Sequence, residues 1–292
     1  MSHRSGFVNI LGNPNVGKST IMNALVGEKL SIITAKAQTT RHRIMGIVNG
    51  EDFQIVYSDT PGILRPQYKL QETMMNFVNS ALTDADTILY VSDVLEQNAF
   101  EGEYIDRIKE SGIPVIIALN KVDLTNQDDL EKVVESWHKE FPESPVIPVS
   151  GLKKFNLESL LNAILMKLPE GPPFFPKDQL TDKYERFFAS EIIREKILVH
   201  YQKEIPYSVE IEIESFKEEK AIIKIRALIH VARDSQKGII IGHKGSMLKR
   251  VGTEARRDME GFFNKKVFLE LYVKVTKDWR DKPLILKRFG YQ

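Results

Sequence analysis

The sequence predicts an α/β domain built on a doubly wound, largely parallel sheet, followed by a smaller α+β domain. Three observations carry this. Up to residue 168, short β-branched runs alternate with helical patterns, as in a sheet covered on both faces. The proline-rich stretch Leu168-PEGPPFFPKDQL then interrupts any helix. Beyond it the elements run helix, strand, strand, helix, helix, strand.

Taken in order, strands are expected over 7–11, 43–48, 53–58, 87–92, 114–120 and 145–150, with helices near 18–27, 101–111, 127–140 and 156–168. After the boundary, apolar residues at 184, 187, 188, 192, 193, 197 and 198 predict an amphipathic helix over 183–201. Val209, Ile211 and Ile213 alternate with Glu210, Glu212 and Glu214, as in a strand with one wet face. A second strand follows over 221–232, then two helical segments joined at Gly242-HKG, then a last strand over 266–275. The expected domains are 1–170 and 181–276, with a linker over 171–180 and a basic tail over 277–292.

At 42% hydrophobic and 28% charged residues, the 292-residue chain is in the ordinary globular range, which excludes wholesale disorder. It has no cysteine, so disulfides, thiolate zinc sites and cysteine nucleophiles are excluded. The opening MSHRSGFVNI lacks the apolar core of a signal peptide, and no apolar run is long enough to span a bilayer. A cytoplasmic monomer is the expectation. The net charge of +1 conceals a division. Residues 1–180 hold 17 Lys+Arg against 23 Asp+Glu; residues 181–292 hold 24 against 17. From 231 onward the tally is 15 to 7, which points to a polyanion on the C-terminal half, against the plainer reading of a solvated basic face.

The strongest local signal is Gly12-NPNVGKS, a G-x-x-x-x-G-K-[ST] loop between the first strand and the first helix. Backbone N–H groups along Gly12, Asn13, Pro14, Asn15, Val16 and Gly17, continuing to Thr20 at the helix start, make an anion cradle; the proline itself contributes shape only. Lys18 is expected to neutralise β- and γ-phosphates, and Ser19 to ligate Mg²⁺. Asp59, Thr60, Pro61 and Gly62 end the third strand; Asp59 can hold the Mg²⁺ through water and the Gly62 N–H can meet the γ-phosphate. Asn120, Lys121 and Asp123 end the fifth. Asp123 can accept from both N1–H and N2–H₂ of guanine, a donor pair that adenine lacks, so the ligand is read as GTP or GDP. Ser150 and Gly151 lie where a backbone N–H can meet the guanine O6. In the loop Lys36-AQTTRHR, Thr40 is expected to complete the Mg²⁺ shell, with Thr39 the alternative.

Gly242-HKG, set between two helical segments in the α-β-β-α-α-β order, matches a type II (prokaryotic-type) KH arrangement. Its glycines let a nucleic-acid backbone approach, and His243 and Lys244 can meet phosphates. Ile240 and Ile241 are expected to line the groove beyond Gly245, with Lys249 and Arg250 at its rim and Ile239 and Leu248 in the core. Trp279, Lys287 and Arg288 mark a tail that either extends this surface or packs on the domain. The six histidines show no metal spacing.

The nucleotide motifs, in this order, resemble the translation-factor-related GTPases, and Gly-x-Pro-Asn-Val-Gly-Lys-Ser with Gln-Thr-Thr-Arg-His-Arg resembles the bacterial Era proteins most closely. The resemblance covers nearly the whole chain. It implies slow GTP hydrolysis, binding to the 3′ end of small-subunit ribosomal RNA, and a role in maturing the 30S subunit. It also implies K⁺ beside Asn15, and an inner-membrane association as a secondary reading. Two positions depart from wider patterns. Gly151 stands where alanine is usual, and Ile63 occupies the place of the water-orienting glutamine of Ras-type enzymes, as in the Era-like family.

Overall fold

The computed structural model describes residues 3–96 and 102–291. It divides into two compact units, Met1–Arg65 with Met74–Asp182 and Pro66–Thr73 with Lys183–Gln292.

The first unit follows the order β1 (Arg4–Leu11), α1 (Lys18–Val26), β2 (Ile44–Asn49), β3 (Phe53–Asp59), α2 (Lys69–Thr83), β4 (Thr87–Asp93), α3 (Glu103–Glu110), β5 (Val115–Asn120), α4 (Gln127–Glu140), β6 (Val146–Pro148) and α5 (Leu157–Lys167), the first turn of α2 grouping with the other unit. The six strands form one sheet in the order β2-β3-β1-β4-β5-β6. Only β2 runs antiparallel. Val8, Ile10, Ile88, Leu89, Ile116 and Ile117 are fully buried, because helices cover both faces and leave no wet side. β3 and β4 flank β1, so the winding reverses there and the loops leaving the carboxyl ends of β1 and β4 open a crevice.

Two details differ from expectation. α2 lies outside the expected set, although its buried Leu70, Met74, Val78, Ala81 and Leu82 carry a helical period. Glu101, at the start of the helix expected over 101–111, lies outside the described residues. The segment expected as a linker is a strap on the first unit. Gln54 Oε1 accepts from the N–H groups of Phe174 and Phe175 at 2.7 and 2.9 Å, and Ile47 N–H donates to Leu180 O at 2.8 Å. Thr181 Oγ1 donates to Met45 O at 2.7 Å, and Phe174 packs on Phe7 with ring centroids 4.9 Å apart.

The second unit runs α6 (Glu185–His200), α7 (Ile205–Ser208), β7 (Val209–Glu218), β8 (Ile222–Val231), α8 (Asp234–Ile241), α9 (Ser246–Phe262), β9 (Lys266–Val275) and α10 (Pro283–Arg288). β7 and β8 are antiparallel and β8 and β9 parallel, in the order β7-β8-β9. Ile193, Ile197, Val251, Ala255 and Met259 of α6 and α9 pack against Ile223, Ile225 and Ile229 of β8.

The opposite face, expected to be wet, is covered at one end by the tail. Glu210 and His230 are only 5% and 2% exposed. Trp279 is fully buried and donates to Ser208 O at 3.0 Å; Tyr291 OH donates to Glu210 Oε2 at 2.6 Å. Phe289 packs tilted against His230 and edge-on against Trp279, and Arg288 pairs with Glu212. The tail therefore packs on its own domain. Beneath it, burial disfavours the Arg194 guanidinium, but a bidentate pair with Glu191, together with nearby Glu210, holds it charged.

Removing the indole anchor with Trp279→Ala should cost ~3–5 kcal/mol, and Tyr291→Phe, which leaves Glu210 short of a donor, about 1–3 kcal/mol. Urea denaturation followed by circular dichroism checks both, and an unchanged midpoint for Trp279→Ala contradicts the anchor.

Candidate functional site

The loop from β1 to α1 stands at the carboxyl end of the sheet, and its shape requires glycine at two points. Gly12 has φ +145°, and a Cβ there would stand 2.2 Å from Val91 O of β4. Gly17 has φ +97°, and a Cβ there would stand 2.2 Å from Asn120 Nδ2. At Gly12 a side chain would have to displace the β4 backbone, and at Gly17 it would have to displace the Asn120 amide. Asn15 adopts φ +66°, which asparagine tolerates better than most residues.

Three oxygens converge where this loop meets β3. Ser19 Oγ donates to Asp59 Oδ2 at 2.6 Å; Thr40 Oγ1 lies 2.9 Å from Ser19 Oγ and 3.3 Å from Asp59 Oδ2. Asp59 Oδ1 is buried with no hydrogen bond. Burial pushes the Asp59 carboxyl up, against the Ser19 hydroxyl and the Lys18 ammonium. Two hydroxyls and a carboxylate are a hard-oxygen set that fits Mg²⁺. Of the two candidate threonines, Thr40 reaches this cluster, while Thr39 Oγ1 donates to Lys36 O inside its own loop.

Lys18 is buried, and its ammonium donates to Gly12 O at 3.0 Å and Asn13 O at 2.8 Å. Burial pulls its pKa down to about 8, with Asp59 and Glu96 opposing. Around it opens a cleft of about 600 Å³ lined by Pro14, Asn15, Ser19, Thr20, Gly62 and Lys121, among others. At its far end Asn120 Nδ2 donates to Val16 O at 2.8 Å, and Asn120 Oδ1 accepts from Gly151 N–H at 3.0 Å. Ser150 Oγ donates to Asp123 Oδ1 at 2.6 Å, and Lys121 pairs with Asp93.

Some expected residues brace rather than line the cleft. Val16 is buried in the core, Thr60 Oγ1 donates to Ile10 O at 2.7 Å, and the Asn13 amide turns away to Glu96. Pro61 is buried beside Thr60 at the end of β3. Gly151 lies close to α1: a methyl there would stand 3.0 Å from Ile21 Cγ1, a tight contact that a small shift of the Ile21 side chain would relieve. The cleft also takes in Ile32, Thr34, Leu124 and Leu152. No motif announced these, since they belong to loops whose path depends on tertiary contact.

In the second unit, Gly242 (φ +71°), Lys244 (φ +49°) and Gly245 (φ +77°) shape the turn between α8 and α9, with His243 and Lys244 exposed. A Cβ on Gly242 would stand 2.7 Å from Met247 Cγ. Beside the turn runs a groove of about 390 Å³ lined by Gly245, Leu248, Lys249, Gly252, Leu269 and Leu271, among others. Two expectations are corrected here. Ile240 is fully buried in the core, because its side of α8 faces the sheet, and Ile239 is 48% exposed; Leu248 packs on the core as expected and also lines the groove. Ile241 is half-buried, and Arg250 pairs with Glu254, which also meets His200 at 2.6 Å.

The Lys18 geometry has a thermodynamic signature. An empty-site pKa near 8 rises when a polyphosphate binds, so at pH 8.5 binding should take up about half a proton or more, and affinity should fall as pH rises through 8. Calorimetry in two buffers of different ionisation enthalpy measures this, and proton release on binding contradicts it.

Comparison with known proteins follows the same division. Residues 7–121 match the family model described as a 50S ribosome-binding GTPase, and residues 204–280 match a KH domain. The GTPase Era of Syntrophus aciditrophicus is 46% identical over 99% of this chain and 95% of its own length; that of Staphylococcus haemolyticus is 43% identical over 99% and 97%. A crystal structure of Era with MgGDPNP and nucleotides 1506–1542 of 16S ribosomal RNA superposes with a TM-score of 0.95 at 40% identity, covering 99% of both chains. An Aquifex aeolicus Era variant bound to GDP·AlF4⁻ gives 0.94 at 40% identity, again over 99% of both chains. With motifs, fold and full-length relatives in agreement, this chain belongs to the Era family of GTPases.

Proposed function

We propose that this GTPase binds the 3′ region of small-subunit (16S) ribosomal RNA through its KH domain and assists maturation of the 30S subunit, with GTP hydrolysis as the switch. The observation that carries the reading is the pairing, on one chain, of a guanine-nucleotide cleft with a glycine-turn groove of KH type. A relative of 40% identity has been seen with both ligand classes.

In this reading Lys18 neutralises the β- and γ-phosphates, and the Gly62 N–H meets the γ-phosphate. Asp123, oriented by Ser150, accepts the two guanine donors. The Lys121 stem covers the base, and a backbone N–H of Ser150 or Gly151 meets O6. Ser19, Thr40 and Asp59 hold Mg²⁺, which supplies charge neutralisation on the phosphate oxygens. K⁺ beside Asn15 supplies further positive charge. Ile63 has no side-chain group to orient water, so hydrolysis is slow and relies on backbone positioning. Gly242, His243, Lys244 and Gly245 clamp the RNA backbone beside Ile241, and Lys249 and Arg250 meet phosphates at the rim. Loops 31–43 and 59–65 order around the γ-phosphate and relax after hydrolysis.

The protein acts in the cytoplasm. No helix among the described residues is long and apolar enough to cross a membrane, and association with the inner membrane is peripheral, through basic residues.

The test is RNA crosslinking and sequencing on the GTP-bound protein, with Asp123→Asn in parallel. The variant should lose about 100-fold or more in GTP affinity and gain xanthosine triphosphate, since an amide offers one acceptor and one donor, which match the N1–H and O2 of xanthine and not the two donors of guanine. Enrichment of the 16S 3′ end that transfers to xanthosine triphosphate supports the reading. Crosslinks spread over all RNAs and indifferent to nucleotide overturn the ribosomal assignment.

A further inference from the structure

The turn after β4 carries a carboxylate that belongs to none of the nucleotide motifs. Glu96 Oε1 accepts from Asn13 Nδ2 at 2.6 Å, and Glu96 Oε2 accepts from Ser92 Oγ at 2.8 Å. Ser92 is fully buried, and the Glu96 N–H donates to Asp93 O at 2.9 Å, so the carboxylate is fixed through both its side chain and its backbone. A negative group beside a polyphosphate cleft works against the ligand, and its presence there calls for something that it holds.

Glu96 holds the outer limb of the phosphate loop. The limb Gly12–Pro14 is the seat of the segment after Asp59: Ile63 N–H donates to Gly12 O at 3.2 Å, and a Cβ on Gly62 would stand 2.7 Å from Pro14 Cα. The inner limb is tied separately, through Val16 O to Asn120. The same turn reaches the base side, where Val94 N–H donates to Asn120 O at 3.1 Å and Asp93 pairs with Lys121. Residues 93–96 thus fasten the base loop at one end and the phosphate loop at the other.

We propose that Glu96 is a positioning residue for GTP hydrolysis, fixing Asn13 and through it the limb on which Gly62 rests. The proposal relies on the assignment of the Gly62 N–H to the γ-phosphate. Charge-assisted hydrogen bonds of this length define geometry well, and ångström-scale misplacement of a reacting group costs large factors in rate. Nucleotide affinity rests also on Ser19 and Asp123, which other contacts hold, so the loss falls on kcat more than on KM.

The experiment uses the full chain with Glu96→Ala, Glu96→Gln, Asn13→Ala and the Glu96→Ala/Asn13→Ala double variant. Steady-state GTP hydrolysis gives kcat and KM, and fluorescent GDP binding gives affinity. Glu96→Ala should lower kcat about ten-fold or more with KM within about three-fold. Glu96→Gln should recover most of the loss, because its amide oxygen still accepts from Asn13 and its nitrogen can donate to Ser92. Asn13→Ala should match Glu96→Ala, and the double variant should lose no more than either single one. A normal kcat in Glu96→Ala, additive losses in the double variant, or a glutamine as damaging as the alanine each overturns the proposal. Gly62→Ala runs alongside: if it leaves hydrolysis unchanged, the Gly62 assignment has failed, whereas a loss there with normal Glu96→Ala removes Glu96 alone.

Discussion

The carboxamide of Asn120 reaches the phosphate loop with its nitrogen and the base loop with its oxygen, and the chain fits so closely around it that Gly17 has no room for a methyl group. A primary amide suits the position because it donates and accepts at once, at a fixed separation and without charge. A carboxylate there would leave Val16 O without its donor, and a buried carbonyl stripped of its partner is costly. The two halves of the nucleotide cleft come from residues more than a hundred positions apart, and this one side chain sets their spacing. It can do so because β5 is paired on both sides, with β4 and β6 each parallel to it, so that the strand carrying it is tied to a neighbour on either flank.

The second unit solves a different problem. Its three-stranded sheet has helices on one face, and on the other face it carries glutamates and a histidine that would ordinarily be left to water. Closing that face with aromatic residues forces ionisable groups indoors, and each is then provided with a partner: Glu210 with Tyr291, and Glu212 with His230 and Arg288. Such pairs add little net stability over apolar ones, but they permit essentially one arrangement. The glycine turn and its groove lie on the helical side, away from this network, and their shape rests on backbone conformations that glycine supplies at Gly242 and Gly245.

Much of this was legible in the sequence for definite reasons. The strand runs near 7–11, 87–92 and 114–120 are nearly continuous in apolar residues because both faces are covered. Lys18, Asp59, Asn120 and Asp123 stand out in the sequence because motifs give them fixed places in the loops that follow strands. Glu96 does not, because a glutamate in a turn has no pattern, and only the fold sets Asn13 opposite it. Ile239 and Ile240 illustrate a second limit. Three isoleucines in a row on a short helix must point in three directions, and only the packing of α8 on the sheet decides which one is buried. The alternation of Glu210 with Val209 and Ile211 was read correctly as a strand, yet Glu210 became buried because distant Tyr291 covers it.

The strap over residues 171–182 has a further consequence. β2 is the outermost strand of the first sheet, and the N–H and C=O groups on its free side would be a ready template for another extended chain. The strap occupies that side: Met45 N–H donates to Asp182, Ile47 N–H to Leu180 O, and Thr181 to Met45 O. A stretch whose prolines mark it as a mere spacer therefore acts as a guard against aggregation. Shortening the domain to residue 170 would remove the guard and leave an open edge able to recruit a second molecule strand to strand.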